Sequence, residues 1–175
     1  MQLQPEDAVL EIGCGHGDTL AKAANAASRG LLCGIDFSPV MHGHATRRHR
    51  RLVAEKRIEF RLGSSDRLPF DDQSFDKVYA VHTIYFWNAP LDHLAEARRV
   101  LKPEGRFVLG FRPAEDARFR ATYPSDVYHI RTEADVAQLA RDAGFESVDL
   151  RRHTRGDKRV SFVIGTRTKR AAPVA

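Results

Sequence analysis

The chain has 175 residues, of which 42% are hydrophobic and 29% are charged, and its formal net charge is +5 at pH 7. Domains cluster at about 100–150 residues, so this length suits one domain with a core of its own. The sequence contains no apolar run of about 18 residues and only two cysteines, which argues against a membrane-spanning helix and a disulfide framework. The first residues lack the apolar core of a signal peptide. We therefore expect a cytoplasmic protein with a single domain over residues 1–170 and a loose tail over residues 171–175.

Short apolar segments alternate with amphipathic segments along most of the chain. The apolar segments have the lengths and flanking residues of strands, and they lie at residues 8–12, 31–35, 58–62, 75–81, 106–111, 145–153 and 159–166. The amphipathic segments predict helices, which lie at residues 19–27, from Ser38 onward, at 91–101 and at 136–143. Asp18 is the expected cap of the first helix, and Ser38 followed by Pro39 has the residue types of a helix start.

Alternation of strands and helices is typical of a parallel sheet that is covered by helices on both faces. The last two predicted strands flank Arg155, Gly156 and Asp157, and a loop that short makes them an antiparallel hairpin. The predicted fold class is therefore α/β, with a doubly wound, mostly parallel sheet and an antiparallel terminal hairpin. Ligands of such sheets bind outside the carboxyl ends of the strands. The loops after Ile12, Ile35, Leu62 and Val81 are therefore candidates for the functional site.

The loop after the first predicted strand contains three glycines at alternate positions, Gly13, Gly15 and Gly17. Glycine permits a tight turn and a close approach of the backbone to a ligand, and the helix that follows offers unpaired N–H groups. Asp36, at the end of the second strand, has the position of an acidic residue that binds the hydroxyls of a ribose. These features predict a ligand of the adenosine type. The third glycine comes one residue too early for the G-x-G-x-x-G pattern of dinucleotide-binding proteins, which disfavours a nicotinamide oxidoreductase.

Residues 9–17, Val-Leu-Glu-Ile-Gly-Cys-Gly-His-Gly, resemble the first motif of class I S-adenosylmethionine-dependent methyltransferases, and residues 34–38 resemble their second motif. Further segments resemble the surroundings of the third to fifth strands of that family, at residues 63–70, 75–79 and 99–107. The resemblance is closest to the small-molecule branch that includes ubiquinone- and menaquinone-biosynthesis-like enzymes. It implies a seven-stranded Rossmann-like sheet, S-adenosylmethionine as the methyl donor and S-adenosylhomocysteine as the product.

The same resemblance implies which residues hold the cofactor. Those bordering its methionine part would be Glu11, Gly13, Cys14 and Gly15, with Gly17 closing the loop. Asp36 would hold the ribose hydroxyls, and Phe37 and Met41 would border the adenine. Relatives usually carry an aspartate that contacts the adenine amino group where this chain has Ser64. Because a neutral hydroxyl accepts a hydrogen bond more weakly than a carboxylate, Asp66, after Ser65, is the expected substitute.

His82 directly follows the fourth predicted strand, where the family resemblance places the transferred methyl group. Its side chain has an unperturbed pKa of about 6.5, which suits a general base. We interpret His82 as that base, with a purely structural histidine as the alternative. Tyr85, Phe86 and Trp87 are candidates for an aromatic wall of the substrate site, and Tyr123 and Tyr128 for its opposite side; packing in the core is their alternative role.

The leading function is methyl transfer to a small molecule, without a metal ion. The basic run at residues 47–51 motivates an alternative, methyl transfer to RNA or another macromolecule, although we do not expect a nucleic-acid substrate. Relatives usually carry several dozen residues before the first motif, whereas here the first strand begins near residue 8. We therefore expect one of three situations: the start is truncated, the site is open, or a partner subunit covers it. A homodimer is one way in which a partner subunit would cover the site. A cofactor-binding module without catalysis is the third hypothesis.

Overall fold

The computed structural model describes residues 1–155 and 158–168. Within these residues the strands form one seven-stranded sheet in the order β3-β2-β1-β4-β5-β7-β6. The strands are β1 (Val9–Ile12), β2 (Leu32–Asp36), β3 (Ile58–Leu62), β4 (Phe75–Val81), β5 (Leu101–Phe111), β6 (Ser147–Arg155) and β7 (Lys158–Thr166). Strands β1 to β5 are parallel, and β7 pairs antiparallel with both β5 and β6. The predicted α/β fold with an antiparallel terminal hairpin is confirmed.

Helices and one 3₁₀ turn connect these strands. They are α1 (Asp18–Ala26), α2 (Pro39–Arg48), α3 (Arg50–Ala54), the 3₁₀ turn (Ile84–Phe86), α4 (Pro90–Val100), α5 (Ala117–Thr122) and α6 (Glu133–Asp142). Sequence analysis did not predict the 3₁₀ turn, the break between α2 and α3, or α5. No helix of the described part of the chain is long and apolar enough to cross a membrane.

Two apolar clusters lie on the two faces of the sheet. Consecutive residues of a strand point to opposite faces, so Val9 belongs to one cluster and Leu10 to the other. The first cluster includes side chains of α1 and α2, such as Leu20 and Ala45, and the second includes side chains of α4 and α6, such as Leu94. The helices therefore cover both faces, as the alternation of strands and helices predicted.

Helix α2 begins as predicted, whereas α1 does not. The Ser38 hydroxyl oxygen accepts a hydrogen bond from the Met41 N–H at 3.3 Å, and Pro39 occupies the first helical position. Asp18, the predicted cap of α1, is instead its first helical residue, because Gly17 takes the cap position with φ 76°. The Asp18 carboxylate accepts a hydrogen bond from Arg48 Nε at 2.6 Å.

Strand β5 is longer than predicted and contains an irregularity. It begins at Leu101, directly after α4, and its register with β4 moves from Phe75↔Leu101 to Lys77↔Arg106. The extra residues include Glu104, which has φ 63°. The strand therefore contains a bulge at this point. Two other predictions concern residues outside the described part of the chain. These are residues 156 and 157 of the predicted hairpin loop and the predicted tail at residues 171–175.

Candidate functional site

Residues 13–17, here called the glycine loop, connect β1 to α1. Gly13 and Gly17 have positive φ, and a Cβ at either position would collide with a neighbouring side chain, Thr83 and Phe60 respectively. Gly15 also has a positive φ of 51°, but a Cβ there would meet no described atom within 4 Å. Gly13 and Gly17 therefore satisfy internal packing, whereas the backbone of Gly15 faces open space that a ligand can occupy.

Asp36 joins the glycine loop to the start of α2. Its carboxylate is buried at the end of β2, where Oδ2 accepts a hydrogen bond from the Gly15 N–H at 2.8 Å and Oδ1 accepts one from the Ser38 N–H at 3.0 Å. A carboxylate offers about four acceptor positions, so two of them stay available to the hydroxyls of a ligand. The predicted ribose contact is therefore compatible with these internal bonds.

Glu11 is a buried acid beside the glycine loop. In the register of β1 with β4 its partner is Tyr79, and its Oε2 has no hydrogen-bond partner among the described residues. Burial raises the pKa of Glu11 to about 8, and the nearby carboxylates of Asp18 and Asp36 add to this rise, while Tyr79 and the Leu20 N–H oppose it. The Glu11 carboxyl group is therefore largely protonated at pH 7, and its spare oxygen can accept a hydrogen bond from a ligand. A ligand with positive charge would favour the ionised form and lower this pKa.

Cys14 contributes its backbone, not its thiol. Its side chain is buried in the apolar cluster that contains Val9, and its N–H donates to the Ile35 carbonyl oxygen at 3.1 Å. Burial first, and then the charges of Glu11 and Asp36, raise the pKa of the thiol to about 12. The thiol is therefore protonated at neutral pH and is no nucleophile.

His82 follows β4 and lies beside the glycine loop. It has φ 59°, and its N–H donates to the Gly110 carbonyl oxygen at 2.8 Å. The next residue, Thr83, is the one that packs against Gly13, and its Oγ1 is buried without a hydrogen-bond partner in the described part of the chain. The end of β4 thus holds His82 next to the loop that the sequence analysis assigned to the cofactor.

The His82 ring packs against Tyr85. His82 Nδ1 lies 3.1 Å from the Tyr85 hydroxyl oxygen, and the two rings are stacked with their centroids 6.0 Å apart. Burial of the ring lowers the pKa of His82, and the positive charge of Arg112 lowers it further. The neutral imidazole therefore predominates at neutral pH.

The predicted aromatic wall is only partly present. Tyr85 and Trp87 are 2% and 4% exposed, so both rings pack in the core and do not form an open wall, which corrects the sequence prediction for these two positions. Phe86, between them, is 50% exposed. Trp87 directly follows the 3₁₀ turn and stacks on His93, with ring centroids 4.8 Å apart.

Tyr123 and Tyr128, predicted on the opposite side, do reach this region. Their ring centroids are 4.7 Å apart, and Tyr128 lies 5.1 Å from Phe86 and 5.8 Å from Tyr85. The segment that carries Tyr128 is held by the His129 N–H, which donates to the Tyr85 carbonyl oxygen at 2.9 Å. The structure therefore brings Tyr85, Phe86, Tyr123 and Tyr128 together beside His82 and leaves Trp87 apart.

The residues predicted near an adenine lie at the carboxyl ends of β2 and β3. Phe37 is 74% exposed and Met41 is half-buried. Ser64 and Asp66 are exposed, and a hydrogen bond from Ser64 lowers the pKa of Asp66. The Ser65 hydroxyl lies 2.8 Å from His93 Nδ1, so this side chain already has a partner.

Sequence analysis missed an apolar rim around this edge of the sheet. Exposed large hydrophobic residues follow the carboxyl ends of the strands or lie in the loops beside them: Phe37, Val40, Leu62, Val81, Phe86, Tyr123 and Val127. The signal in the sequence is an apolar residue placed just where a buried strand ends. Two cavities of 380 and 360 Å³ lie elsewhere, around Thr46 and Lys22, and neither is lined by a predicted site residue.

Comparisons with known proteins agree with this geometry. Residues 10–109 match the model of a family described as a methyltransferase domain. Demethylmenaquinone methyltransferase of Symbiobacterium thermophilum is 37% identical over 106 residues, which cover 60% of this chain and 42% of that protein. The 27-O-demethylrifamycin SV methyltransferase of Amycolatopsis mediterranei is 31% identical over 110 residues, which cover 63% of this chain and 40% of that protein. This chain therefore spans less than half the length of these two relatives.

A solved structure shares the fold. The crystal structure of a SAM-dependent methyltransferase from Aquifex aeolicus has a TM-score of 0.77 with this chain at 20% identity. The match covers 95% of this chain and 84% of that structure. At this level of identity the likeness concerns the arrangement of helices and strands.

Proposed function

This chain belongs to the family of S-adenosylmethionine-dependent methyltransferases, and from that premise we propose that it transfers a methyl group to a small-molecule acceptor bound at the carboxyl edge of the sheet. The observation that carries the proposal is the junction of Asp36 with the glycine loop. There a buried carboxylate keeps acceptor positions for a ligand and lies beside the open backbone of Gly15.

The residues at this junction fit S-adenosylmethionine. Its positive charge suits the spare oxygen of Glu11 and the acidic surroundings, and its ribose suits Asp36. In the proposed arrangement the glycine loop borders the methionine part, and Phe37 and Met41 border the adenine. The exposed Ser64 and Asp66 accept from the adenine amino group, and Ser65 lies between them. When bound, the cofactor supplies an electrophilic methyl group on a sulfonium.

His82 is the proposed general base. It lies next to Thr83, which contacts the glycine loop, and its lowered pKa keeps the imidazole neutral at pH 7. A positioned base contributes about 10²–10⁴-fold when the acceptor must lose a proton. Positioning of the acceptor against the methyl group supplies the rest, because a fixed near-attack geometry replaces a collision in solution.

The apolar rim supports an acceptor with an apolar body. Phe86, Tyr123 and Tyr128 present aromatic surface beside His82, and Val81 adds aliphatic surface at the end of β4. The names of two relatives, a demethylmenaquinone and a demethylrifamycin methyltransferase, also refer to small molecules. The basic run gives RNA less support, because Arg48 is paired with Asp18 and Arg51 with Glu55.

Calorimetric titration with S-adenosylmethionine and S-adenosylhomocysteine, with NAD as a control ligand, tests the cofactor. We expect binding of the first two and not of NAD. Asp36→Ala should weaken binding about tenfold or more, since a hydrogen bond to a charged group contributes about 1.5–3 kcal/mol. Asp149→Ala, on β6 at the far edge of the sheet, is the matched control and should bind normally.

Transfer to a panel of acceptors tests the reaction. Methylation of apolar small molecules supports the proposal, whereas methylation of RNA alone overturns the acceptor class. Cofactor binding without transfer to any member of the panel would favour a binding module. A cytoplasmic location and a homodimer stay predictions, which fractionation of cells and analytical ultracentrifugation test.

A further inference from the structure

The Tyr85 hydroxyl group sits among three polar partners. The Arg112 N–H donates to it at 2.5 Å, the Arg112 carbonyl oxygen lies at 3.4 Å, and His82 Nδ1 lies at 3.1 Å. Because Tyr85 is buried, its hydroxyl and the backbone groups around it must satisfy one another and not water. The arrangement of protons at this point is therefore constrained.

A hydroxyl group has one proton to donate and two lone pairs that accept. The Arg112 N–H can only donate and the Arg112 carbonyl oxygen can only accept. If the hydroxyl donates to that carbonyl, its second lone pair is left for His82, and Nδ1 must then carry a proton. This is the arrangement in which all three contacts are hydrogen bonds. Donation from the hydroxyl to Nδ1 would leave the Arg112 carbonyl oxygen, 3.4 Å away, without a hydrogen bond from the Tyr85 hydroxyl.

We propose that Tyr85 is a positioning residue that holds the proton of neutral His82 on Nδ1, so that Nε2 presents its lone pair to the acceptor. None of the hydrogen bonds among the described residues reaches Nε2. The backbone supports the same orientation, because the His82 N–H is tied to Gly110 on β5 and Thr83 is packed against Gly13. The end of β5 therefore holds His82 through Gly110, and the residue that follows the strand, Arg112, holds Tyr85.

The position of the His82 proton has a consequence for the class of acceptor atom, and this consequence rests on the proposed function. An unprotonated Nε2 takes a proton from a group that has one to lose, such as the hydroxyl of a phenol or an enol. As the bond from the acceptor oxygen to the methyl carbon forms, the bond from carbon to sulfur breaks and its electron pair goes to sulfur. The hydroxyl proton moves to Nε2, and the resulting imidazolium later returns it to water. We therefore assign a hydroxyl acceptor to this site.

The tautomer is measured directly in the wild-type protein. Long-range ¹H–¹⁵N correlation spectra of protein labelled at its histidines distinguish a protonated from an unprotonated ring nitrogen. The His82 signals are identified by their absence in His82→Gln. We expect Nδ1 protonated and Nε2 unprotonated at a pH at which the ring is neutral. A spectrum with the proton on Nε2 overturns the proposal, and this measurement needs neither cofactor nor acceptor.

Tyr85→Phe then tests the cause. Without the hydroxyl, His82 should shift toward the tautomer protonated on Nε2, whereas Tyr128→Phe, in the same group of rings, should leave it unchanged. Thermal unfolding shows whether each variant is folded. An unchanged tautomer in folded Tyr85→Phe overturns the assigned role. With a phenolic acceptor, Tyr85→Phe should lower kcat about tenfold while KM stays within a few-fold, and His82→Gln should lower it about 10²-fold or more. If the tautomer is as expected but only acceptors without a hydroxyl are methylated, the assignment of the acceptor atom fails and the proton arrangement stands.

Discussion

The Oδ2 atom of Asp36 accepts a hydrogen bond from the N–H of Gly15 at 2.8 Å, although 20 residues separate the two along the chain. The bond ties the middle of the glycine loop to the end of β2. This bond holds Gly15 in a conformation with a positive φ, and the space beside its Cα is open. The loop thus has a fixed shape before any ligand binds, which reduces the entropy lost on binding.

The glycines of this loop should respond differently to alanine. Gly13→Ala places a methyl group against Thr83 and should lower the free energy of unfolding by more than the cost of the backbone strain alone. Gly15→Ala meets no such obstacle, so it should cost only about 1–2 kcal/mol for the left-handed backbone while it weakens cofactor binding. Urea unfolding and calorimetry measure the two effects. Normal cofactor affinity in Gly15→Ala would contradict the ligand contact at this position.

Glu11 should make the protein less stable as the pH rises toward 8. Its pKa is about 8 in the folded protein and about 4.5 when exposed, so between these values the folded state holds a proton that the unfolded state has lost. The free energy of unfolding therefore falls as the pH rises through this range. Glu11→Gln, which stays neutral, should remove that part of the slope. Urea unfolding between pH 5 and pH 8 checks this, and equal slopes in both proteins would contradict it.

Glu133 should protect the protein against acid. Its buried carboxylate accepts hydrogen bonds from Arg152, Arg159 and Ser161 at 2.6–2.8 Å, joining α6 to β6 and β7. Burial alone would raise the pKa of Glu133, but these three partners outweigh it and lower the pKa to about 2. The stabilisation is therefore complete above about pH 4.5 and is lost as the pH falls toward 2.

Removal of this carboxylate should be costly at neutral pH. We expect Glu133→Gln to lower the free energy of unfolding by about 3 kcal/mol, because it leaves buried donors without their charged acceptor. Glu55→Gln breaks only the exposed pair with Arg51 and should cost less than about 1 kcal/mol. Equal losses in the two variants would show that the buried network contributes no more than a surface ion pair.

Substitution of Phe86 should affect acceptor binding, whereas substitution of its neighbour Trp87 should affect the stability of the fold. Phe86 is half exposed, so Phe86→Ala should raise the KM for an apolar acceptor with little change in unfolding. Trp87 is buried against His93, so Trp87→Ala should cost about 3–5 kcal/mol of stability through the cavity that it leaves. Thermal unfolding and steady-state kinetics of both variants check this contrast. A KM unchanged in Phe86→Ala would remove Phe86 from the proposed acceptor site.

The sequence by itself determined the seven strands, the helices α1, α2, α4 and α6, the antiparallel last strand and the glycine loop followed by Asp36. These features depend on patterns within a few residues, such as the spacing of apolar side chains or a glycine after a strand, and such patterns act before distant segments meet. For the same reason Ser38 and Pro39 marked the start of α2 correctly.

Only the tertiary structure decided which neighbouring side chains face the site. Tyr85, Phe86 and Trp87 are consecutive aromatic residues, yet Phe86 alone is exposed. Tyr85 is buried against Phe119 and bonds to the Arg112 N–H, and Trp87 stacks on His93. The bond between Asp36 and Gly15 and the bond between Tyr85 and Arg112 likewise join segments that are far apart in the chain. Burial and proton positions depend on what surrounds a group in space, and a local pattern in the chain does not contain that information.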